Sequence, residues 1–336
     1  MKPKAIFMGT EAAIANAYSK ETKAALGESL ELLPAYYTED ALRDGKPHPE
    51  LKDVAFAFST WGIATLSEAE LAALLPGLKA VFYAAGTVQY FARPFLSRGI
   101  AVFSAWGANA VPVAEVTAAE IVLANKGFFQ TMHKGSGETW TEHDFMCPHP
   151  GNYNTNVGIV GAGMIGSLVI EKLKGCRLNV KVFDPFLSAE RAALLGVEKV
   201  DALPALFAAC HVISNHLANN PQTLGMIDKR CFDKMADNAV FINTGRGQQV
   251  AEADLIAALK EKPGRVAVLD VTWPEPPEKG SELYTLPNVI LTPHMAGSIG
   301  NEVARMGEYM LEEFRAFSAG KPTKYRVTEK MLETMA

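Results

Sequence analysis

Cysteine is scarce in this 336-residue chain, and the four present (Cys147, Cys176, Cys210, Cys231) form neither a CxxC pair nor a dense cluster. That spacing argues against a disulfide framework and fits buried or free thiols in a reducing cytoplasm. Positive charge is in deficit as well. A net charge of −5 disfavours a nucleic-acid or anionic membrane partner, while leaving room for one basic site facing a small anion. No apolar run is expected to approach the length needed to cross a bilayer. The run in MKPKAIFMGTEAA is too short for a signal peptide's central region, so a cytoplasmic location is expected. Low-complexity segments and fixed-period repeats are also missing. What remains is a folded, mixed-charge, 49% apolar chain of a length that calls for two domains.

The chain is organised around NVGIVGAGMIGSLVIEKLK, Asn156 to Lys174. Val157, Ile159 and Val160 form an apolar strand. Gly161, Gly163 and Gly166 interrupt it in the order G-x-G-x-x-G, and Met164, Ile165, Leu168, Val169 and Leu173 then recur at helical spacing. In such a turn the first glycine permits the reversal, the second lets backbone approach a pyrophosphate, and the third lets helix and strand pack closely. The helix N-terminus adds unpaired N–H groups and partial positive charge. Gly175 is expected to cap that helix. A second strand, Val180 to Phe183, delivers Asp184 eighteen positions after Gly166, close to the roughly 20 expected for an acid on a ribose 2′-hydroxyl. Such an acid favours NAD over NADP. The alternative is that Asp184 starts a turn with Pro185.

Residues 1 to about 103 alternate between strands (Ala5–Met8, Leu30–Pro34, Val54–Phe58, Ala80–Phe82, Ala101–Phe103) and helices, one opened by a capping box at Ser67 and Glu70. This predicts a doubly wound sheet separate from the one holding the glycine turn. Gly45 to Pro49 reads as a loop. Tyr83 to Thr87 follows a strand end, where Ala85 and Gly86 could offer backbone N–H groups to a carboxylate or form an ordinary turn. Pro112 to Lys126 predicts a buried helix, crossing between domains or lying in a subunit interface. Residues 127 to 155 read as irregular. His143, Cys147 and His149 there match no standard zinc pattern, so a surface loop is expected over a metal site. Strands ending at Ser214, Ile242, Leu269 and Leu291 follow, and a final helix carries Ile299, Val303, Met306, Met310, Phe314 and Phe317.

A doubly wound sheet places its site at strand ends. Three such ends yield Arg246 (in Asn243-Thr244-Gly245-Arg246-Gly247), Asp270 with Glu275 beyond it, and His294 (in Thr292-Pro293-His294). Singly, each has a structural reading: a capping arginine, a polar loop glutamate, a core histidine. Together with a nicotinamide they suit removal of hydride from a 2-hydroxy acid. That reaction needs a base near neutrality, a cation that forks onto a carboxylate, and a carboxylate that orients the imidazole.

These motifs, with Leu269-Asp270-Val271, Glu275-Pro276, Leu-Thr-Pro-His-Met-Ala-Gly, Asn109 and Val113-Ala114-Glu115, resemble the D-isomer-specific 2-hydroxyacid dehydrogenase family from about Leu78 to Gly297. The resemblance implies an α/β protein of two doubly wound parallel-sheet domains. A Rossmann NAD-binding domain (105–297) is then inserted into a discontinuous, flavodoxin-like substrate domain (1–104 and 298–336). It implies that Arg246 binds the substrate carboxylate, His294 is the acid/base, Glu275 pairs with it, and Asp270 lies near the nicotinamide. Gly161, Gly163, Met164, Ile165, Asp184, His216 and Thr244 would bind NAD. Ala85, Gly86, Arg246 and His294 would bind a small 2-hydroxy or 2-oxo acid. A homodimer through the NAD-binding domain is implied, with no metal and no nucleic-acid or membrane partner.

The family's aspartates in G-x-G-x-D-x-x-D are missing from Ala85-Gly86-Thr87-Val88-Gln89-Tyr90, and Ala218-Asn219 stands where a proline is usual. Trp61, Trp106 and Trp273 lie near motif segments and could narrow the pocket. No regulatory domain is expected beyond the last helix, which favours a simpler substrate than phosphoglycerate. Two rivals stand beside this reading. One is an NAD-sensing, corepressor-like binding protein that keeps the same residues. The other is an S-adenosylmethionine-dependent methyltransferase, in which Arg246, Glu275 and His294 would have no role.

Overall fold

A computed structural model describes residues 1–132 and 148–333, and the chain divides into two compact units, Met1–Asn109 with Ser298–Ala336, and Ala110–Gly297. The divisions fall at 109/110 and 297/298; the first lies five residues beyond the expected 104/105 because the opening turn of a long helix groups with the first unit.

In the first unit the strands are β1 (Lys4–Met8), β2 (Glu31–Tyr37), β3 (Val54–Ser59), β4 (Ala80–Tyr83) and β5 (Ala101–Ser104). A late strand, β13 (Arg326–Val327), numbered after the strands of the second unit, joins them. The order β2-β1-β3-β4-β5 is parallel throughout, and β13 adds antiparallel to β5. This is the flavodoxin-like doubly wound order. Strands covered on both faces read as continuous apolar runs, and VAFAFS in β3 is buried at every position. On one face Phe58, Phe82 and Phe103 stack at 5.1 and 4.8 Å. Met306, Met310 and Phe314 of the helix Glu302–Ser318 close over them. A Cβ on Gly307 would sit 2.0 Å from the Ala17 carbonyl oxygen, so only glycine allows this approach. Ile299, expected on the same stripe, precedes the helix and is exposed.

In the second unit the strands are β6 (Tyr153–Val160), β7 (Arg177–Phe183), β8 (Glu198–Lys199), β9 (Val212–Asn215), β10 (Val240–Asn243), β11 (Val266–Leu269) and β12 (Val289–Leu291). All pair in parallel, in the order β8-β7-β6-β9-β10-β11-β12. That is the Rossmann order with one strand added, and its switch point lies between β6 and β9. Apolar clusters cover both faces.

Several local expectations change. The helix expected from Pro112 begins at Trp106 and holds Pro112 in its interior. Proline there removes the N–H that would bond the Ala108 carbonyl and its ring crowds that carbonyl, so the helix carries Pro112 in its second turn at the loss of one backbone bond. At 20 residues, Trp106–Asn125 is also long and apolar enough to cross a membrane by length and composition, contrary to expectation. Its buried Ala114, Ala118, Ile121 and Ala124 instead belong to the second unit's core. Residues 127–155 are not wholly irregular, because a short helix spans Phe128–Thr131 and β6 starts at Tyr153. Gly175 is not a left-handed cap; the helix Met164–Leu173 ends through Lys174, whose N–H bonds the Glu171 carbonyl.

Candidate active site

The glycine turn lies at the switch point, directly after β6. Gly161 has φ +88° and its N–H bonds the Phe183 carbonyl at 2.8 Å. A Cβ there would come within 2.9 Å of the His216 carbonyl oxygen, and one on Gly166 within 2.0 Å of the Gly161 oxygen. The first and third glycines therefore serve the protein's own packing. A Cβ on Gly163 would meet nothing within 4 Å, so the second glycine keeps space open in front of the helix N-terminus, where a pyrophosphate would need it. Met164 and Ile165 open that helix, Met164 being exposed.

Asp184 ends β7 with both carboxylate oxygens bonded to backbone: Oδ2 accepts from Ala162 N and Oδ1 from Phe186 N, each at 2.8 Å. The turn-forming reading holds, and the same side chain also ties the strand end to the glycine turn. His216, past β9, is buried, with Nε2 at 2.9 Å from Ser214 Oγ. Burial pulls its imidazole down to about 3, so it is neutral at physiological pH.

The loop after β10 is held by side chains that the sequence did not single out. Asn215 Nδ2 donates to Asn243 Oδ1 (2.9 Å) and Gln249 Oε1 (2.6 Å), while Gln249 Nε2 donates to the Leu217 carbonyl (2.8 Å). Buried amides at a strand end were their signal. Gly247 presses on Thr272, where a Cβ would lie 2.0 Å from the carbonyl carbon. The loop so fixed carries Arg246, whose Nη1 donates to the Gly245 carbonyl at 2.7 Å. Burial lowers the Arg246 value and the charge of Glu275 opposes that shift; the guanidinium stays a cation.

His294 Nδ1 lies 2.6 Å from Glu275 Oε1. His294 also has φ +53°, a left-handed conformation uncommon for a residue with a Cβ and held only by its surroundings. Asp270 supplies that hold. Its buried carboxylate accepts from Thr292 Oγ1 (2.6 Å), Met295 N (2.8 Å) and Ala296 N (2.9 Å), on both sides of the histidine. Arg246, Glu275 and His294 are thus brought together at one edge of the sheet, with Asp270 as the fastener of the histidine loop.

Thr244 is buried, its Oγ1 3.0 Å from Thr117 Oγ1 of the helix Trp106–Asn125. One helical turn on stands Glu120, absent from the expected site, with Oε2 buried and without a hydrogen-bond partner. Burial first, and the charge of Asp270 second, push its carboxyl up to about 7.

In the first unit the N–H of Ala84 bonds the Ser59 carbonyl (2.7 Å) and that of Ala85 bonds the Tyr83 carbonyl (2.9 Å). The Ala85 amide is therefore spent locally, and an N–H cradle for a carboxylate would have to begin at Gly86. Ser104 Oγ bonds the carbonyls of Ala85 (2.8 Å) and Gly86 (2.6 Å). Trp61 and Trp273 are exposed, whereas Trp106 packs edge-on against Tyr325 at 5.4 Å. His143 and Cys147 lie outside the described residues. His149 meets the His211 ring at 6.2 Å, and no metal-holding cluster occurs among the described residues.

A parallel sheet in this order, with a glycine turn at its switch point, defines a dinucleotide-binding domain. Residues 119–296 match the family model described as D-isomer specific 2-hydroxyacid dehydrogenase, NAD binding domain. The chain belongs to that family, and NAD is the cofactor of the matched domain. It is 33% identical over 236 residues to a D-3-phosphoglycerate dehydrogenase of Archaeoglobus fulgidus, covering 70% of this chain and 44% of the relative. The chain spans about half the length of the curated relatives it matches. Among solved structures, the apo D-mandelate dehydrogenase of Rhodotorula graminis has TM-score 0.81 at 22% identity, covering 98% of each chain. A phosphoglycerate oxidoreductase from Rhizobium etli has TM-score 0.80 at 23% identity, covering 98% of this chain and 100% of its own. At those identities the likeness is one of fold.

Proposed function

We propose that the protein is an NAD-dependent oxidoreductase moving hydride between NAD(H) and a small D-2-hydroxy acid/2-oxo acid pair. The observation that carries this reading is the Glu275–His294 pair at 2.6 Å, on the strand edge that also carries Arg246. Bound NAD would rest on Gly161, Gly163, Met164 and Ile165, with Asp184 toward a ribose hydroxyl and Thr244, His216 and Asp270 beside the glycine turn and the strand ends. When bound, NAD supplies the hydride acceptor or donor. His294, held through Nδ1 by Glu275, uses its other ring nitrogen to take the hydroxyl proton in oxidation and to return it in reduction. Glu275 fixes the orientation of the ring. Arg246 clamps the carboxylate and polarises the neighbouring oxygen. The reading includes a homodimer through the NAD-binding domain, which sedimentation velocity would test.

A panel of 2-oxo acids with NADH, followed by absorbance, tests the reaction. Arg246→Ala and His294→Ala should each lower kcat/KM by roughly 10²–10⁴ with NAD affinity nearly unchanged, the scale for losing a charge clamp or a positioned acid/base. Near-normal turnover in both variants refutes the assignment. Silence of the wild-type protein across the panel favours an NAD-sensing binding protein.

A further inference from the structure

Glu120 has no part in the chemistry described above, yet it is half-buried with an oxygen that has no partner. It lies on the face of the helix Trp106–Asn125 that Thr117, three residues earlier, pins to the end of β10 through Thr244. Strands β10 and β11 pair in register, Asn243 opposite Leu269, so Thr244 and Asp270 are the next residues on adjacent strands. Adjacent strands lie about 4.8 Å apart, and three helical residues advance about 4.5 Å. Glu120 therefore stands over the strand end that carries Asp270. Its Oε2 is buried without a hydrogen-bond partner.

We propose that Glu120 is a positioning residue for the histidine loop: as a neutral carboxyl it leaves Asp270 the sole anion there, and on ionising it loosens the loop that Asp270 fastens. Asp270 holds Thr292, Met295 and Ala296 around a histidine in left-handed backbone geometry. A second carboxylate beside it, in a site that burial keeps poor in water, repels the first and weakens it as the acceptor of three donors. The groups that face Glu120 support this sign. Asp270 at the end of β11 is the charge whose field reaches it among the described residues. Arg246, two residues past Thr244, is engaged by the Gly245 carbonyl and the field of Glu275. On its own helix, Glu115 points to a different partner, Lys172 at 3.0 Å. The titration, with burial pushing the carboxyl up to about 7, falls where a cell can cross it. The inference concerns His294 as acid/base and so rests on the proposed reaction, but the loop can be observed without it.

The test is hydrogen–deuterium exchange of the peptide covering residues 292–297 in the whole protein, corrected for the intrinsic pH dependence of exchange. In the wild type, protection at Met295 and Ala296 should fall about tenfold between about pH 6 and pH 8.5, as expected for a local opening that gains population. In Glu120→Gln, which cannot ionise, protection should stay level across that range. Glu120→Leu should behave like Glu120→Gln and serves if the amide variant does not fold. Equal pH dependence in wild type and variant overturns the proposal. If the 2-oxo acid panel is active, kcat/KM in the oxidation direction should also lose its fall at high pH in Glu120→Gln. If the panel is silent, the dehydrogenase reading fails and the exchange result still decides the role of Glu120.

Discussion

Replacing Glu120 by glutamine separates charge from shape, and its effect on stability has a sign that the structure sets. The carboxyl's ordinary value of 4.5 is pushed up to about 7 by burial and then by Asp270. A carboxyl whose folded value lies above its unfolded value holds its proton more tightly when folded. Its contribution is therefore complete below 4.5 and is lost as pH rises through about 7. The full displacement corresponds to about 3 kcal/mol. Part of the side chain reaches solvent, which brings the expectation down to on the order of 1–2 kcal/mol. Glutamine has no such loss, so the variant should gain on the wild type by that amount between about pH 5 and pH 8.5. Urea-unfolding midpoints, read for both proteins at the two pH values and multiplied by a common slope, give the quantity directly. A difference between wild type and variant that is the same at both pH values would refute the reasoning, because it would mean that Glu120 titrates alike folded and unfolded.

The three glycines of the turn should separate by experiment. Gly166→Ala, which forces a Cβ to 2.0 Å from the Gly161 oxygen, should cost roughly 1–3 kcal/mol or more in unfolding. Gly163→Ala, which meets no protein atom, should unfold like the wild type yet bind NAD at least about tenfold more weakly in calorimetry, since the methyl occupies the pyrophosphate's space; normal NAD binding by Gly163→Ala would count against the cofactor site. Asp184→Ala should weaken NAD more than NADP. It should also lower stability by roughly 1–3 kcal/mol, because the Ala162 and Phe186 amides lose their acceptor; unchanged cofactor preference argues against a ribose role. Asn215→Ala should raise the KM for the 2-oxo acid by loosening the Arg246 loop while sparing NAD affinity, and a variant altered only in NAD binding would contradict that reading.

Both sheets were legible in the chain because strands covered on two faces declare themselves as short apolar runs between turn residues. VAFAFS in β3 and VFIN in β10 are of this kind, buried throughout. The glycine turn was legible because its glycines stand at the G-x-G-x-x-G spacing, and Gly161 and Gly166 each answer a steric demand of the protein itself. The Ser67–Glu70 capping box was legible because both of its bonds are local in sequence, and both are present. What was hidden depends on pairing across the fold. Pro112 suggested a helix start because proline so often stands there, but the residues before it, Trp106 to Val111, are helical by packing. Asn215 and Gln249 are separated by 34 residues and meet only because β9 and β10 are neighbours. Glu120 read as one more polar position on an apolar helix, since nothing local says that its face meets Asp270. The amide of Ala85 looked available because nothing in the residue types says that the backbone there turns back onto the Tyr83 carbonyl.

One physical demand connects these results. At the carboxyl edge of a parallel sheet the chain must leave each strand and reverse into a helix, and the reversing backbone exposes N–H groups that need acceptors. The strand-end acids meet that need first: Asp184 for Ala162 and Phe186, Asp270 for Met295 and Ala296. An acid there is therefore a fastener of the site before it is a ligand within it, and its removal mixes lost chemistry with lost geometry. The cleaner probes of function are groups whose polar atoms are not committed to backbone. Glu275 and His294 spend their bond on each other, and Glu120 keeps a buried oxygen unpaired. A polar atom left without a partner inside a folded protein costs stability, so the edge of this sheet retains at Glu120 an expense that the fold alone does not require. Its counterpart is control over the loop that carries His294, because the same carboxyl that is costly to bury is the one whose proton decides how many charges Asp270 must share that edge with.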